Sequence, residues 1–210
     1  MIISPSVETL KKLIQHQIQN LFLLEETETE TLTRSLPDVL KQTERCFLES
    51  KNKYYKKDRK TFFSIYHSGQ YCIFLYFLAR YIFLSKPENR TLADKIYYLN
   101  RTLNGVDLYY EVEMPEVFHL DHPIGSVMGR ATYGKNFTFS QHCTVGNNKG
   151  IFPRIGENVS MLSGSKILGD CIIGDNVIVS ANTYIKDADV PANSLVFGSS
   201  PNLIIKAQKG

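Results

Sequence analysis

Five histidines, His16, His67, His119, His122 and His142, are the side chains of this sequence whose proton affinity suits acid–base work near neutral pH. His16 and His67 fall in stretches with helical spacing and read as packing or surface residues. The other three share a stretch of different period with Asp107 and Asp121. A carboxylate on the far nitrogen of an imidazole fixes its tautomer and stabilises the imidazolium, which is what a general base needs when it takes a proton from an attacking hydroxyl. For His122 there are two candidates. Asp121 is adjacent and would face the opposite side of an extended strand. Asp107 lies 15 residues earlier. Zinc is a poorer reading of the three histidines, because His119 and His122, three apart on an extended strand, would not converge on one tetrahedral ion. No metal is expected.

The period around these residues decides what must position them. Every sixth residue from Ile155 is large and aliphatic or Met: Ile155, Met161, Ile167, Ile173, Val179 and Ile185. Four residues after each of the first five stand Val159, Ser165, Cys171, Val177 and Thr183, all small or β-branched. Upstream, the same step gives Val145, Phe139, Tyr133 and Val127, then Leu120, Met114 and Leu108 after one seven-residue step. Hexapeptides of this kind form triangular coils of about 18 residues that stack as a solenoid, with the aliphatic residue inward and the small one at the corner. On this spacing Asp107 sits one layer below His122, near the same edge, and is the better orienting group. The step from Val145 to Ile155 is ten residues, so Asn147-Asn148-Lys149-Gly150 must bulge out as a loop, where function tends to be carried.

The first hundred residues follow a helical period instead. Leu10, Ile14, Ile18, Leu21 and Leu24 mark one helix face after Ser6; Pro37 suits the first turn of a second helix ending near Ser50. A charged connector, residues 51 to 60, leads to a buried helix from about Thr61 to Leu84, and a fourth helix runs from about Thr91 to Leu103, closed by Asn104-Gly105. The expected fold class is therefore α+β: an α-helical domain over 1–104, then a left-handed parallel β-helix over 105–210, capped by Pro191 to Gly210.

A charge of +3, spread along the chain, gives no nucleic-acid or polybasic membrane footprint. The most apolar stretch, Tyr71 to Leu84, is short for a bilayer span, and the amino-terminal segment lacks the pattern of a secretory signal. Cys46, Cys72, Cys143 and Cys171 are far apart, as reduced thiols of a cytoplasmic protein would be.

Val106-Asp107-Leu108 followed by Leu120-Asp121-His122 resembles the catalytic region of bacterial serine acetyltransferases. The similarity continues through Ser140-Gln141-His142-Cys143-Thr144-Val145-Gly146, Pro153-Arg154-Ile155, Ser163-Gly164-Ser165-Lys166-Ile167-Leu168-Gly169, Ile185-Lys186-Asp187 and Val196-Phe197-Gly198-Ser199-Ser200-Pro201, and covers about residues 60 to 205. The resemblance implies that His122 is the general base, oriented by Asp107 with Asp121 beside it, and that acetyl-CoA is the acyl donor. It also implies a homotrimer, or a dimer of trimers, with acetyl-CoA in the groove between subunits. Gly146, Ser163, Gly164 and Ala181 would contact the pantetheine, and Lys186 would reach a phosphate.

This sequence departs from the family at the acceptor side. Ile151 and Phe152 stand where serine acetyltransferases carry an Arg-His pair, whose histidine helps hold the amino-acid carboxylate, and the family's substrate-binding aspartate stretch has no counterpart in the helical half. An aromatic wall stacks on a sugar ring more readily than it pairs with a zwitterion. The expected acceptor is accordingly a carbohydrate hydroxyl, on a capsular or lipopolysaccharide sugar, bound by Phe152, Gln141 and His142. The alternatives are L-serine in an altered site, a zinc enzyme resembling γ-class carbonic anhydrases, and a non-catalytic scaffold or CoA-binding module. The terminal Lys209-Gly210 replaces the isoleucine tail by which serine acetyltransferases dock onto cysteine synthase, so that partner is not expected.

Overall fold

Residues 1–50 and 52–208 are described by the computed structural model of the chain; Lys209 and Gly210, on which the cysteine synthase reading rests, lie outside them, as does Lys51 of the connector. The chain divides into two units, Met1–Asn104 and Gly105–Gly210.

In the first unit, α1 (Val7–Gln19) starts where the Ser6 hydroxyl accepts the Thr9 N–H, and it buries Leu10, Ile14 and Ile18. Leu21, expected on that face, lies beyond the helix end and is exposed. The second helix departs from expectation: α2 (Glu26–Leu48) begins well before Pro37 and carries it in its interior. Its start is set by a capping box, with the Glu25 N–H donating to the Glu28 carboxylate at 2.9 Å. An interior proline costs about 3 kcal/mol, which burial of Leu32, Leu36, Val39, Cys46 and Phe47 offsets.

The third helix also starts later than expected. Thr61 to Ser64 belong to a strand, and three strands are described here: β1 (Ile2–Ser4), β2 (Lys56–Lys57) and β3 (Lys60–Ser64). β3 runs parallel to β1 and antiparallel to β2. Its Thr-Phe-Phe-Ser run alternates buried and half-buried, a two-residue period that a short β-branched and aromatic segment satisfies better than a helix turn does. Asp58 and Arg59, both at positive φ, make the tight turn into it. α3 (Ser68–Ser85) follows and is almost wholly buried as far as Ala79; α4 (Arg90–Asn104) ends the unit. Among the described residues no helix is long and apolar enough to cross a membrane, and no disulfide joins the four buried cysteines.

The second unit is a left-handed parallel β-helix of about five coils. Its inward residues stack in three ladders: Leu108, Met128, Val145, Ile167 and Ile185; Leu120, Phe139, Met161, Val179 and Val196; and Tyr133, Ile155, Ile173 and Val190. All are buried. One hexapeptide position is corrected: Val127 is exposed and Met128 points inward. The turn between Leu120 and Met128, with His122 and Gly125 at positive φ, takes up the extra residues and shifts the register. Partners are 18 residues apart where the repeat is regular, as in Ile155 and Ile173, and 22 apart across the insertion, as in Tyr133 and Ile155. The four added residues close on themselves: Asn148 and Ile151 exchange backbone hydrogen bonds of 3.1 and 3.0 Å around Lys149 and Gly150.

One corner is held by a column of asparagines that the hexapeptide pattern does not reveal. Asn136, Asn158, Asn176 and Asn193 all adopt positive φ, and each amide donates to the next at 2.9, 3.0 and 2.9 Å. An antiparallel hairpin, Ser194–Ser199 with Asn202–Ala207, finishes the solenoid.

Candidate active site

His122 lies on the turn that follows the strand Phe118–Leu120, with its side chain 89% exposed. Its φ of 50° takes it out of extended geometry, so the opposite-face argument against Asp121 does not hold: His122 Nε2 stands 3.8 Å from Asp121 Oδ1. Asp107 is half-buried at the start of the strand directly below the one this turn enters, in register with Val127. Two backbone bonds bracket the pair of coils at this corner, Gly125 N–H to Gly105 O at 2.8 Å and Asp107 N–H to Ser126 O at 2.9 Å. The corner thus sets His122 against Asp121, with the backbone of Asp107 on the neighbouring strand.

The next coil adds Gln141 and His142. The His142 N–H donates to Ile124 O at 3.0 Å, and its imidazole covers Gly125. Beneath them lies Ser126, which sequence reading passed over. Its buried hydroxyl donates to Ser140 O at 2.7 Å and accepts the Cys143 N–H at 3.0 Å, pinning the coil of His142 to the turn of His122. Its only signal in the sequence is a small hydroxyl residue immediately before the Val127–Met128 strand. His119 is half-buried on the strand before the turn, opposite Thr138. Among the described residues no group of three His, Cys, Asp or Glu side chains is placed to hold a metal ion.

The residues assigned to acetyl-CoA border one sheet face. Gly146, Leu168 and Lys186 lie side by side on three successive coils at one end of it, with Lys186 exposed. At the other end the Ser163 carbonyl accepts the Asn182 N–H at 2.9 Å, beside the exposed Ala181. Gly164, at φ +74°, leaves room for Asn182, whose Oδ1 would lie 2.3 Å from a Cβ there. Lys166, between the two ends, donates to Gly164 O at 3.0 Å.

Phe152 and Ile151 are 41% and 49% exposed, on the far side of the inserted turn. The expected acceptor set is not gathered in one chain: the strand Thr144–Gly146 separates Gln141 and His142 from Phe152, and its three residues span about 10 Å.

Comparison with known proteins agrees with this architecture. The bacterial transferase hexapeptide (six repeats) family matches residues 152–187. A serine acetyltransferase of Staphylococcus epidermidis is 31% identical over 147 residues, 68% of this chain and 67% of that protein. One from Staphylococcus aureus is 29% identical over 67% of this chain and 66% of its own. Among solved structures, the serine acetyltransferase of Neisseria gonorrhoeae superposes with a TM-score of 0.69 at 22% identity, covering 87% of this chain and 72% of that one. That of Brucella abortus gives 0.66 at 20% identity, over 88% and 75%. With these relatives and this β-helix, the chain belongs to the serine acetyltransferase family of hexapeptide-repeat O-acetyltransferases.

Proposed function

We propose that the protein transfers the acetyl group of acetyl-CoA to the hydroxyl of L-serine. The observation that carries this reading is the corner that holds His122 3.8 Å from Asp121, with Asp107 on the strand beside it, in a chain whose relatives are serine acetyltransferases. His122 takes the proton of the acceptor hydroxyl as its oxygen attacks the thioester carbonyl. The tetrahedral intermediate then collapses, the C–S bond breaks, and the imidazolium returns the proton to the departing CoA sulfur. Asp107 orients the ring, and Asp121, 3.8 Å away, stabilises its charged form. Gly146, Ser163, Gly164 and Ala181 line the pantetheine path, and Lys186 meets a phosphate as a point charge.

A homotrimer, or a dimer of trimers, is part of this proposal. It lets the His122 corner of one subunit face the inserted turn of the next, two features that stand at opposite ends of one strand within a chain. A cytoplasmic location, where acetyl-CoA is available and thiols stay reduced, suits the four buried cysteines.

This acceptor replaces the carbohydrate expected from the sequence, since the relatives support serine better. The sugar hydroxyl remains the second reading on one observation: Ile151 and Phe152 present an exposed apolar pair where the resemblance places an Arg-His pair. Acetyl-CoA turnover against L-serine, nucleotide sugars and oligosaccharides tests both. Saturable acetylation of serine and of no sugar is the expected result; acetylation of a sugar alone overturns it.

A further inference from the structure

The inserted turn is tied to a coil two layers away. The Asn148 amide donates to Asp187 Oδ2 at 2.5 Å, across 39 residues of sequence. The other oxygen of Asp187 accepts the Asp170 N–H at 2.9 Å. Between the two coils lies Gly169, at φ +81°: a Cβ there would fall 2.0 Å from Asp187 Oδ1 and 2.6 Å from Asn148 Cβ. Three coils therefore contribute to one contact, Asn148 and Asp187 supplying the bond and Gly169 the opening through which it passes.

Asn148 is also the first residue of the tight turn. Lys149 and Gly150, its centre, both have positive φ, as a two-residue hairpin loop of the primed type requires. Nothing lies within 4 Å of a Cβ at Gly150, so the tip faces open space, and the Gly150 N–H donates to Asn147 Oδ1 at 3.4 Å. The backbone exchange with Asn148 holds Ile151, and Phe152 follows. A hydrogen bond to a carboxylate is stronger than a neutral one, and this one fixes the end of the turn from which Ile151 and Phe152 project.

We infer that Asn148, Gly169 and Asp187 form a latch that positions the Ile151–Phe152 wall for the acceptor, with Asp187 linking it to the coil that carries Lys186. Asn148 and Asp187 are positioning residues: they act through the turn and not on the reacting atoms. The inference rests on the proposed acetyl transfer and on Phe152 facing the acceptor.

The test uses the full chain and two readouts. Hydrogen exchange of the Ile151 amide reports the latch without any activity, and steady-state kinetics with acetyl-CoA and L-serine report its use. In Asn148→Ala the exchange should rise about tenfold and KM for serine about three- to tenfold, the scale of one exposed hydrogen bond to a charge. KM for acetyl-CoA and the melting temperature should stay within error. Asp187→Asn leaves one acceptor oxygen for the two donors of Asn148 and Asp170 and removes the charge, so it should loosen the turn in the same direction as Asn148→Ala. Gly169→Ala should reproduce the loosened turn. Unchanged exchange in Asn148→Ala overturns the latch; so does a rise in both KM values with a fall in melting temperature, which marks general destabilisation. If the wild type acetylates neither serine nor a sugar, the proposed function fails, while the exchange result still decides whether the turn is anchored.

Discussion

The imidazole of His142 occupies the space that a side chain at Gly125 would need: a Cβ on Gly125 would fall 2.4 Å from His142 Nδ1. Gly125 also has φ +74°, where L side chains are strained. The turn that presents His122 is thus closed by a glycine, with a histidine of the next coil as its lid. Gly125→Ala should destabilise the protein by about 1–3 kcal/mol, the range for a residue forced into this conformation. It should also lower kcat, because the ring or the turn must move. Thermal melting and turnover measured together check this; an unaltered melting point and rate would show that the stack adapts freely.

His122→Ala should reduce turnover by about 10²–10⁴-fold, the usual contribution of a positioned general base, with KM for acetyl-CoA little changed. Asp107→Asn and Asp121→Asn should each cost less, since the base remains. Which costs more identifies the orienting carboxylate. Near-normal turnover by His122→Ala would remove the residue from the chemistry.

The inward ladders were readable from the sequence because a six-residue period leaves few alternatives and each inward residue is simply large and apolar. The inserted turn was readable for the same reason, as a break in that period. What failed was local. Val127 looked inward because the count allowed one extra residue across the turn that contains His122 and Gly125 at positive φ, where the chain takes up two before Met128 points inward. Asp121 looked misdirected because His122 was taken as extended. Pro37 looked like a helix start because propensity cannot see the buried stripe that holds α2 together around it. Gly125 and Gly164 have partners, His142 and Asn182, one coil away, and only the stacking registers reveal them.

The asparagine column gives a stability prediction that separates conformation from hydrogen bonding. Asn158 gives one side-chain bond to Asn176 and receives one from Asn136 at φ +56°. Asn158→Gly should lose only the two exposed bonds, whereas Asn158→Ala should also suffer the left-handed penalty of about 1–2 kcal/mol. Chemical denaturation should therefore rank wild type, glycine, then alanine. Alanine no worse than glycine would mean that the corner relaxes out of this conformation.

Phe152 is where the acceptor preference can be measured. A serine carboxylate buried against a ring, without a cation or donor, loses about 2–3 kcal/mol relative to a paired one. Restoring the family's histidine, Phe152→His, supplies a donor that is cationic when protonated, at a position 41% exposed and so able to accept a polar group without a folding cost. It should raise kcat/KM for L-serine by about 30- to 150-fold if that full difference is recovered, and by less where water already solvates the carboxylate. KM for acetyl-CoA should not change, because the residues assigned to that substrate border the sheet face and Phe152 lies beyond the inserted turn. For any sugar hydroxyl that the wild type acetylates, the same replacement should lower kcat/KM, since it removes the stacking surface. A Phe152→His variant with unaltered efficiency toward every acceptor would show that this side chain does not meet the acceptor, and the apolar wall would then have to be sought elsewhere on the turn, at Ile151.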